Sequence, residues 1–283
     1  MRRFRPLLLL LLLAAAPRPR ILAAENMYAD IAAQIAGPLV RVTAVMSNPD
    51  TDPHLFEVTP SVARAVAGAD IVVMNGAGYD PWMRRLLAVA PAPGRVVLTV
   101  ARLIGARPGA NPHLWYAPQT APALARALTA ALVARDPAHA GAYRRREAAF
   151  LASLGPVTAR IAALRAGLGG TPVAATEPVF GYLAAALGLR MRGAAFQRAV
   201  MNGTEPAPRD VAALDRAITT HAVRLLIYNL QATDPAAQRL RHLARRAGVP
   251  VLGVTETEPA HTSYQRWILS EVDALAARLG GRR

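Results

Sequence analysis

Cysteine and lysine are both absent from the 283 residues. Without cysteine there can be no disulfide, no thiolate metal site and no lipid attached through an N-terminal cysteine, so a soluble, non-acylated protein is expected. Without lysine, all 33 cationic side chains are arginine, against 18 acidic ones. The formal net charge is +15, or +12 without Arg2, Arg3 and Arg5, which raises the question of nucleic-acid or membrane-surface binding. Aromatic residues make up only 5 %, and the arginine runs Arg144-Arg145-Arg146 and Arg245-Arg246 lie in helical stretches with no aromatics between them. These runs read as solvated helix faces, and no nucleic-acid partner is expected.

Apolar residues are not scarce. At 53 % they suffice for a sizeable core, and the length suits two modest domains or one large one. Arg2, Arg3 and Arg5 precede an unbroken run from Leu7 to Leu13 and then Ala14, Ala15 and Ala16. This basic, apolar, small-residue order reads as a secretory signal peptide over residues 1–16, with Pro17 leaving a cut as late as about residue 24 open. The apolar run is short for a membrane span, and no later stretch reads as one.

From Arg20 onward, short β-branched runs alternate with amphipathic stretches, the pattern of βα units and parallel sheets. Strands are predicted at Arg20–Ala24, Arg41–Met46, Ile71–Met74 and Val96–Thr99, then at Pro172–Thr176, Arg190–Ala194, Leu225–Tyr228 and Val251–Val254. Proline marks several helix starts, as in Thr59-Pro60, Ala207-Pro208 and Asp234-Pro235. Between the two sets, residues 136–169 keep helical periodicity and end in Gly169-Gly170. At ~1.5 Å per residue this helix is on the order of 45 Å long, kinked where Pro156 deletes a hydrogen bond. The expected fold is α/β, two (βα)4 lobes (20–135 and 170–283), each with a four-stranded parallel sheet, joined by one long bridging α-helix.

In open parallel sheets the carboxyl ends of the strands face the ligand crevice, so polar side chains there are the candidates for chemistry. His54, in Asp52-Pro53-His54, follows the second strand, and His113, in Asn111-Pro112-His113, follows the fourth; each preceding proline stiffens its loop. In the second half, Glu177 and Glu256 end strands. Each half thus offers two metal ligands. His139, His221 and His242 lie in helical stretches with no partner at ligand spacing and read as structural or surface groups. Glu258 and His261, in the loop after Glu256, remain open alternatives for the fourth ligand.

These segments resemble the zinc- and manganese-binding class of solute-binding proteins of bacterial ABC importers. Ala24-Glu25-Asn26-Met27-Tyr28-Ala29-Asp30 resembles the family's opening strand and helix, and the run from Ala69 through Asn75-Gly76-Ala77-Gly78-Tyr79-Asp80-Pro81-Trp82 is the most specific match. Asp52-Pro53-His54 and Asn111-Pro112-His113-Leu114-Trp115 resemble the first and second ligand loops, although Asn111 and Ala117 stand where aspartates are commoner. Glu177, just ahead of Phe180-Gly181-Tyr182, holds the third ligand position as in manganese- or iron-type members, where typical zinc importers have histidine. The fourth is usually aspartate; here the longer Glu256 stands there. The resemblance implies a monomeric periplasmic receptor that holds one divalent ion and hands it to an ABC importer membrane permease.

Two imidazoles and two carboxylates suit Mn²⁺, Fe²⁺ or Zn²⁺ and suit Cu⁺ poorly. Zinc importers of the family this chain resembles often carry a histidine-rich acidic loop, and its absence here implies manganese or iron as cargo, with zinc expected to bind well in vitro. Only neutral imidazole coordinates, so acid should weaken binding through His54 and His113. Trp82, Trp115, Phe180 and Tyr182 are expected to pack beneath the loops. The rival reading is an exported metallohydrolase, but four protein ligands would leave a tetrahedral ion no place for water, and no HExxH or nucleophile-elbow motif is present. A surface adhesin is the third reading.

Overall fold

The structure, a computed structural model, describes residues 18–48, 56–232 and 234–280. Residues 1–16, read as a signal peptide, and His54 lie outside the described residues.

The first half runs β1 (Arg20–Glu25), α1 (Asn26–Ala36), β2 (Arg41–Met46), α2 (Pro60–Ala67), β3 (Ile71–Met74), α3 (Pro81–Val89), β4 (Val96–Thr99), α4 (Val100–Leu103) and α5 (Thr120–Arg135). Its strands form one parallel sheet in the order β2-β1-β3-β4. β1 and β3 are buried along almost their whole length, as strands covered on both faces must be. After the bridge come β5 (Pro172–Ala175), α8 (Gly181–Ala186), β6 (Arg190–Arg192), α9 (Ala194–Met201), α10 (Pro208–Thr219), β7 (Leu226–Asn229), α11 (Pro235–Arg246), β8 (Val251–Val254) and α12 (Tyr264–Leu279). The second sheet repeats the topology as β6-β5-β7-β8. The expected two-lobe fold is therefore the observed one.

One strand is shorter than its pattern. The predicted strand to Ala194 stops at Arg192, and Ala194–Met201 is helical. Gly193, at φ +78°, turns the chain between them, and Phe196 and Val200 bury the new helix in the second lobe's core.

The bridge is helical from Pro137 to Leu168, as α6 (Ala140–Ser153) and α7 (Gly155–Leu168) separated at Leu154. Pro156 has no N–H for the carbonyl of Ala152, which is why the helix breaks there. Contrary to the sequence reading, this stretch is long and apolar enough to cross a membrane, with mean hydropathy 1.2 over an 18-residue window. Alanine and leucine supply that value. Of the side chains it buries in the protein, Tyr143, Phe150, Val157 and Leu164 recur every seventh residue through the break, the spacing of a single packing seam, and Leu168 follows one turn later. α6 lies on α1 and α5, and α7 lies on α12, so the bridge fastens both lobes.

One hydrophobic cluster runs from Ile21 and Val73 in the first half through Trp115 and Tyr116 to Val173, Val254 and Leu275 in the second. Polar contacts cross the same seam. Asn26 Oδ1 accepts from Glu258 N at 3.1 Å while its amide donates to the Glu258 carbonyl at 2.7 Å, and Asp30 accepts from Tyr264 N at 3.0 Å. The carboxyl ends of both sheets are thereby held face to face.

Candidate metal centre

The loop after β3 builds the first wall. Asp80 sits where it could cap α3, but its carboxylate turns back to accept from the N–H groups of Asn75 and Gly76 at 2.6 and 2.8 Å. This closes the turn through Gly76, Ala77 and Gly78, all at positive φ. Asn75 then ties three elements together: its Oδ1 accepts from Tyr28 Oη at 2.6 Å and its amide donates to the Pro112 carbonyl at 2.8 Å. Asn75-Gly76-Ala77-Gly78-Tyr79-Asp80 is thus the scaffold that carries the His113 loop. A Cβ on Gly76 would meet Thr99 Cγ2 at 2.7 Å at φ +76°. Gly76→Ala is expected to cost on the order of 1–3 kcal/mol, read as a lower urea midpoint.

His113 is fully buried. Its Nδ1 lies 2.6 Å from Asn111 Oδ1, which also accepts from His113 N at 3.1 Å. The Asn111 amide nitrogen donates to the Pro178 carbonyl at 2.6 Å, so Oδ1 is the face turned to the imidazole and Nδ1 carries the proton. Nε2 is left as a buried lone pair with no hydrogen-bond partner among the described residues. It faces Glu256 Oε2 at 3.5 Å. Two buried polar atoms that face each other at this distance leave room for a shared partner.

Glu256, also fully buried, is the hub of the second wall. Its Oε2 accepts from Tyr79 Oη at 2.9 Å and its Oε1 from the Asn229 amide at 2.6 Å. The same amide donates to Glu177 Oε2 at 3.3 Å. Parallel register explains the grouping: Ala175 pairs with Ile227 and Asn229 with Val254, so Glu177 and Asn229 stand level and Glu256 two residues above. His113 thus adjoins Glu256, and Glu256 is linked to Glu177 through Asn229. Among the described residues no three His, Asp or Glu side chains are close enough to form a metal cluster by themselves.

Glu258 and His261 are not part of this group. Glu258 sits at the seam with α1, where burial first and Asp30 second push its carboxyl up to about 8. His261 is exposed, at φ +59°. Of the aromatic side chains, Trp115 stands edge-on to His113 at 5.3 Å and walls it, Trp82 packs on Phe56 at 4.6 Å, Phe180 on Tyr116 at 5.3 Å, and Tyr182 donates to the Asn111 carbonyl at 2.8 Å. Burial, then the charge of Glu256, holds Tyr79 well above the usual phenol range, so it remains a donor. Glu25 is buried beside Asp80, and burial, then that neighbour's charge, keeps its carboxyl raised well above normal.

The family model for zinc-uptake complex component A, periplasmic, matches residues 21–278. The chain belongs to this family. Among its relatives, the iron-binding protein YfeA of Yersinia pestis is 30 % identical over 172 residues, 57 % of this chain and 54 % of that protein. The manganese-binding lipoprotein MntA of Halalkalibacterium halodurans is 30 % identical over 140 residues, 48 % and 46 % of the two chains. These alignments span about half the length of each relative. The periplasmic zinc-binding protein TroA from Treponema pallidum superposes with a TM-score of 0.79 at 20 % identity, covering 94 % of this chain and all of that one, which shows a shared fold. Members of the zinc-uptake component A family are periplasmic metal-binding solute receptors.

Tyr79 and Asn229, which bond to Glu256, were not singled out from the sequence, and Asn111, which bonds to His113, was noted only as standing where aspartate is commoner. Asn111 and Tyr79 were visible inside motifs but carry no charge. Asn229 had no local signal at all, because its role comes from standing between two strands.

Proposed function

We propose that this protein is a periplasmic receptor for one divalent transition-metal ion, Mn²⁺, Fe²⁺ or Zn²⁺, which it delivers to the membrane permease of an ABC importer. The ion is held between lobes spanning 20–135 and 170–283 by His113, Glu177 and Glu256, with His54 as the fourth ligand. The observation that carries this reading is the buried Nε2 lone pair of His113 facing Glu256 Oε2 at 3.5 Å. Glu256 is preferred to Glu258 and His261 as ligand because it alone of the three reaches both His113 and, through Asn229, Glu177. Ligands from both lobes make the ion a tie between them, and the shared core with its bridge keeps closure small. The importer then reads loaded against empty receptor. Elemental analysis of protein purified from periplasm tests this: about one ion per chain and no hydrolytic activity is the expected result, while a metal-free protein that takes up no Mn²⁺, Fe²⁺ or Zn²⁺ at neutral pH overturns it.

Export is proposed through cleavage ahead of Arg20. β1 is an inner strand, paired with β2 on one side and β3 on the other, so a cut near residue 24 would remove most of the strand that joins them. N-terminal sequencing of the exported protein is expected to start before Arg20.

A further inference from the structure

Glu25, the last residue of β1, is fully buried. Parallel register sets Ile21 beside Ile71 and Ala23 beside Val73, so Glu25 comes level with Asn75, where the loop that holds Asp80 begins. The donors around it are committed elsewhere. Tyr28 gives its hydroxyl proton to Asn75 Oδ1, and Tyr79 gives its own to Glu256 Oε2. The Asn75 amide donates to the carbonyls of Gly76 and Pro112, while the main-chain N–H groups of Asn75 and Gly76 both go to Asp80. Neither Glu25 oxygen accepts a hydrogen bond from another described residue. Its own main-chain N–H is the one group that favours a charge there. The titratable groups facing it are Tyr28 on α1 and Tyr79 and Asp80 on the loop, with no cation among the described residues.

A carboxylate buried without donors is costly, and two ionised carboxylates side by side are costlier still. Asp80 has two N–H donors and keeps the charge; Glu25 has none from its neighbours and keeps a proton. We propose that Glu25 is a positioning residue that acts as an un-ionised carboxylic acid, donating its proton to Asp80 and so fastening the loop after β3 to the end of β1. The pair then carries a single negative charge, and its hydrogen bond is of the strong, charge-assisted kind. Burial first, and the Asp80 charge second, hold the Glu25 carboxyl well above the usual carboxylate range, in keeping with this. Asp80 in turn holds the turn through Gly76, Ala77 and Gly78, from which Asn75 supports the His113 loop and Tyr79 reaches Glu256 in the second lobe. One proton at the end of β1 therefore sets the position of groups on both walls.

The test uses the full mature chain without metal, as wild type, Glu25→Gln and Glu25→Met. Glutamine keeps a donor for Asp80 and loses the acid; methionine keeps the length and loses the donor. The infrared difference between wild type and Glu25→Gln at pH 8 is expected to show the carbonyl band of a protonated carboxyl group, at a pH where exposed glutamates are ionised. Amide hydrogen exchange at Asn75 and Gly76 should be unchanged in the glutamine variant and faster by about tenfold or more in the methionine variant, through loss of a charge-assisted hydrogen bond. A residue that only fills space would give the same exchange in both. In the wild type alone, the carbon-13 shift of the Glu25 carboxyl should stay that of a neutral acid from about pH 5 to 8, which decides the matter if a variant does not fold. A Glu25 carboxyl that titrates near the ordinary glutamate value of about 4.3, or a methionine variant with wild-type protection of the loop, overturns the proposal. None of these readouts needs a metal ion, so the receptor reading can fail without this proposal failing, and the reverse.

Discussion

His113→Ala is expected to lower affinity for every divalent ion by about 100-fold or more, at or beyond the upper end of the range for residues that only support a ligand. The argument is one of placement. Asn111 holds the Nδ1 proton, Trp115 closes one side of the ring, and the whole imidazole is out of water, so solvent cannot take the place of Nε2. The fold should survive: Nε2 has no hydrogen-bond partner among the described residues, and when Nδ1 is lost Asn111 Oδ1 still accepts from the main-chain N–H of residue 113. Circular dichroism should therefore report a folded protein, and calorimetric titration a protein that has lost its ion. Glu256→Gln should behave similarly but by another route, since it removes the charge and its single amide oxygen can accept from only one of the two donors, Tyr79 and Asn229. If His113→Ala binds Mn²⁺ and Zn²⁺ as the wild type does, the site lies elsewhere.

The second large effect is on stability and concerns Glu271, one turn beyond Trp267 in α12. Burial pushes its carboxyl up to about 7, partly offset by hydrogen bonds from Trp267, Thr255 and Tyr116. Between about pH 4.5 and 7 the folded protein therefore holds a proton that the unfolded chain releases. Unfolding free energy falls as pH rises through that window and levels off above it. Glu258, pushed up to about 8, extends the decline in the same direction. At about 1.4 kcal/mol per unit, Glu271 alone accounts for roughly 3 kcal/mol. Glu271→Gln is expected to remove this loss, raising the melting temperature of the metal-free protein at pH 8 by roughly 5–10 °C with little change at pH 4.5. On the receptor reading, metal binding is expected to strengthen as pH rises, since protons compete for metal ligands. Loaded and empty receptor should therefore diverge in melting temperature as pH rises. A wild type and variant with parallel melting curves from pH 4.5 to 8 would show that Glu271 does not titrate as described.

The fold was legible to a high degree. Arg41–Met46, Ile71–Met74, Val96–Thr99 and Val251–Val254 are strands at the predicted residues, because short β-branched runs between proline and glycine signals have few alternatives. The long bridge and its break at Pro156 followed from periodicity and one missing N–H. Ala194–Met201 was missed because Gly193 switches the chain within a single residue, and eight residues show too little periodicity to announce a helix.

The site divides along the same line. Sequence alone determined which ionisable groups stand at the carboxyl ends of the strands: His113 behind a proline, Glu177 and Glu256 just past their strands. Tertiary structure decided which of them meet, that Glu256 and not Glu258 faces His113, and that neutral partners control them. Tyr79 reaches Glu256 across 177 positions and Asn229 reaches Glu177 across 52. A charged group at a strand end leaves a local mark because its desolvation restricts where it can sit. An amide or phenol acquires its role only when register and packing bring it within about 3 Å of a charge, and no local pattern encodes that distance.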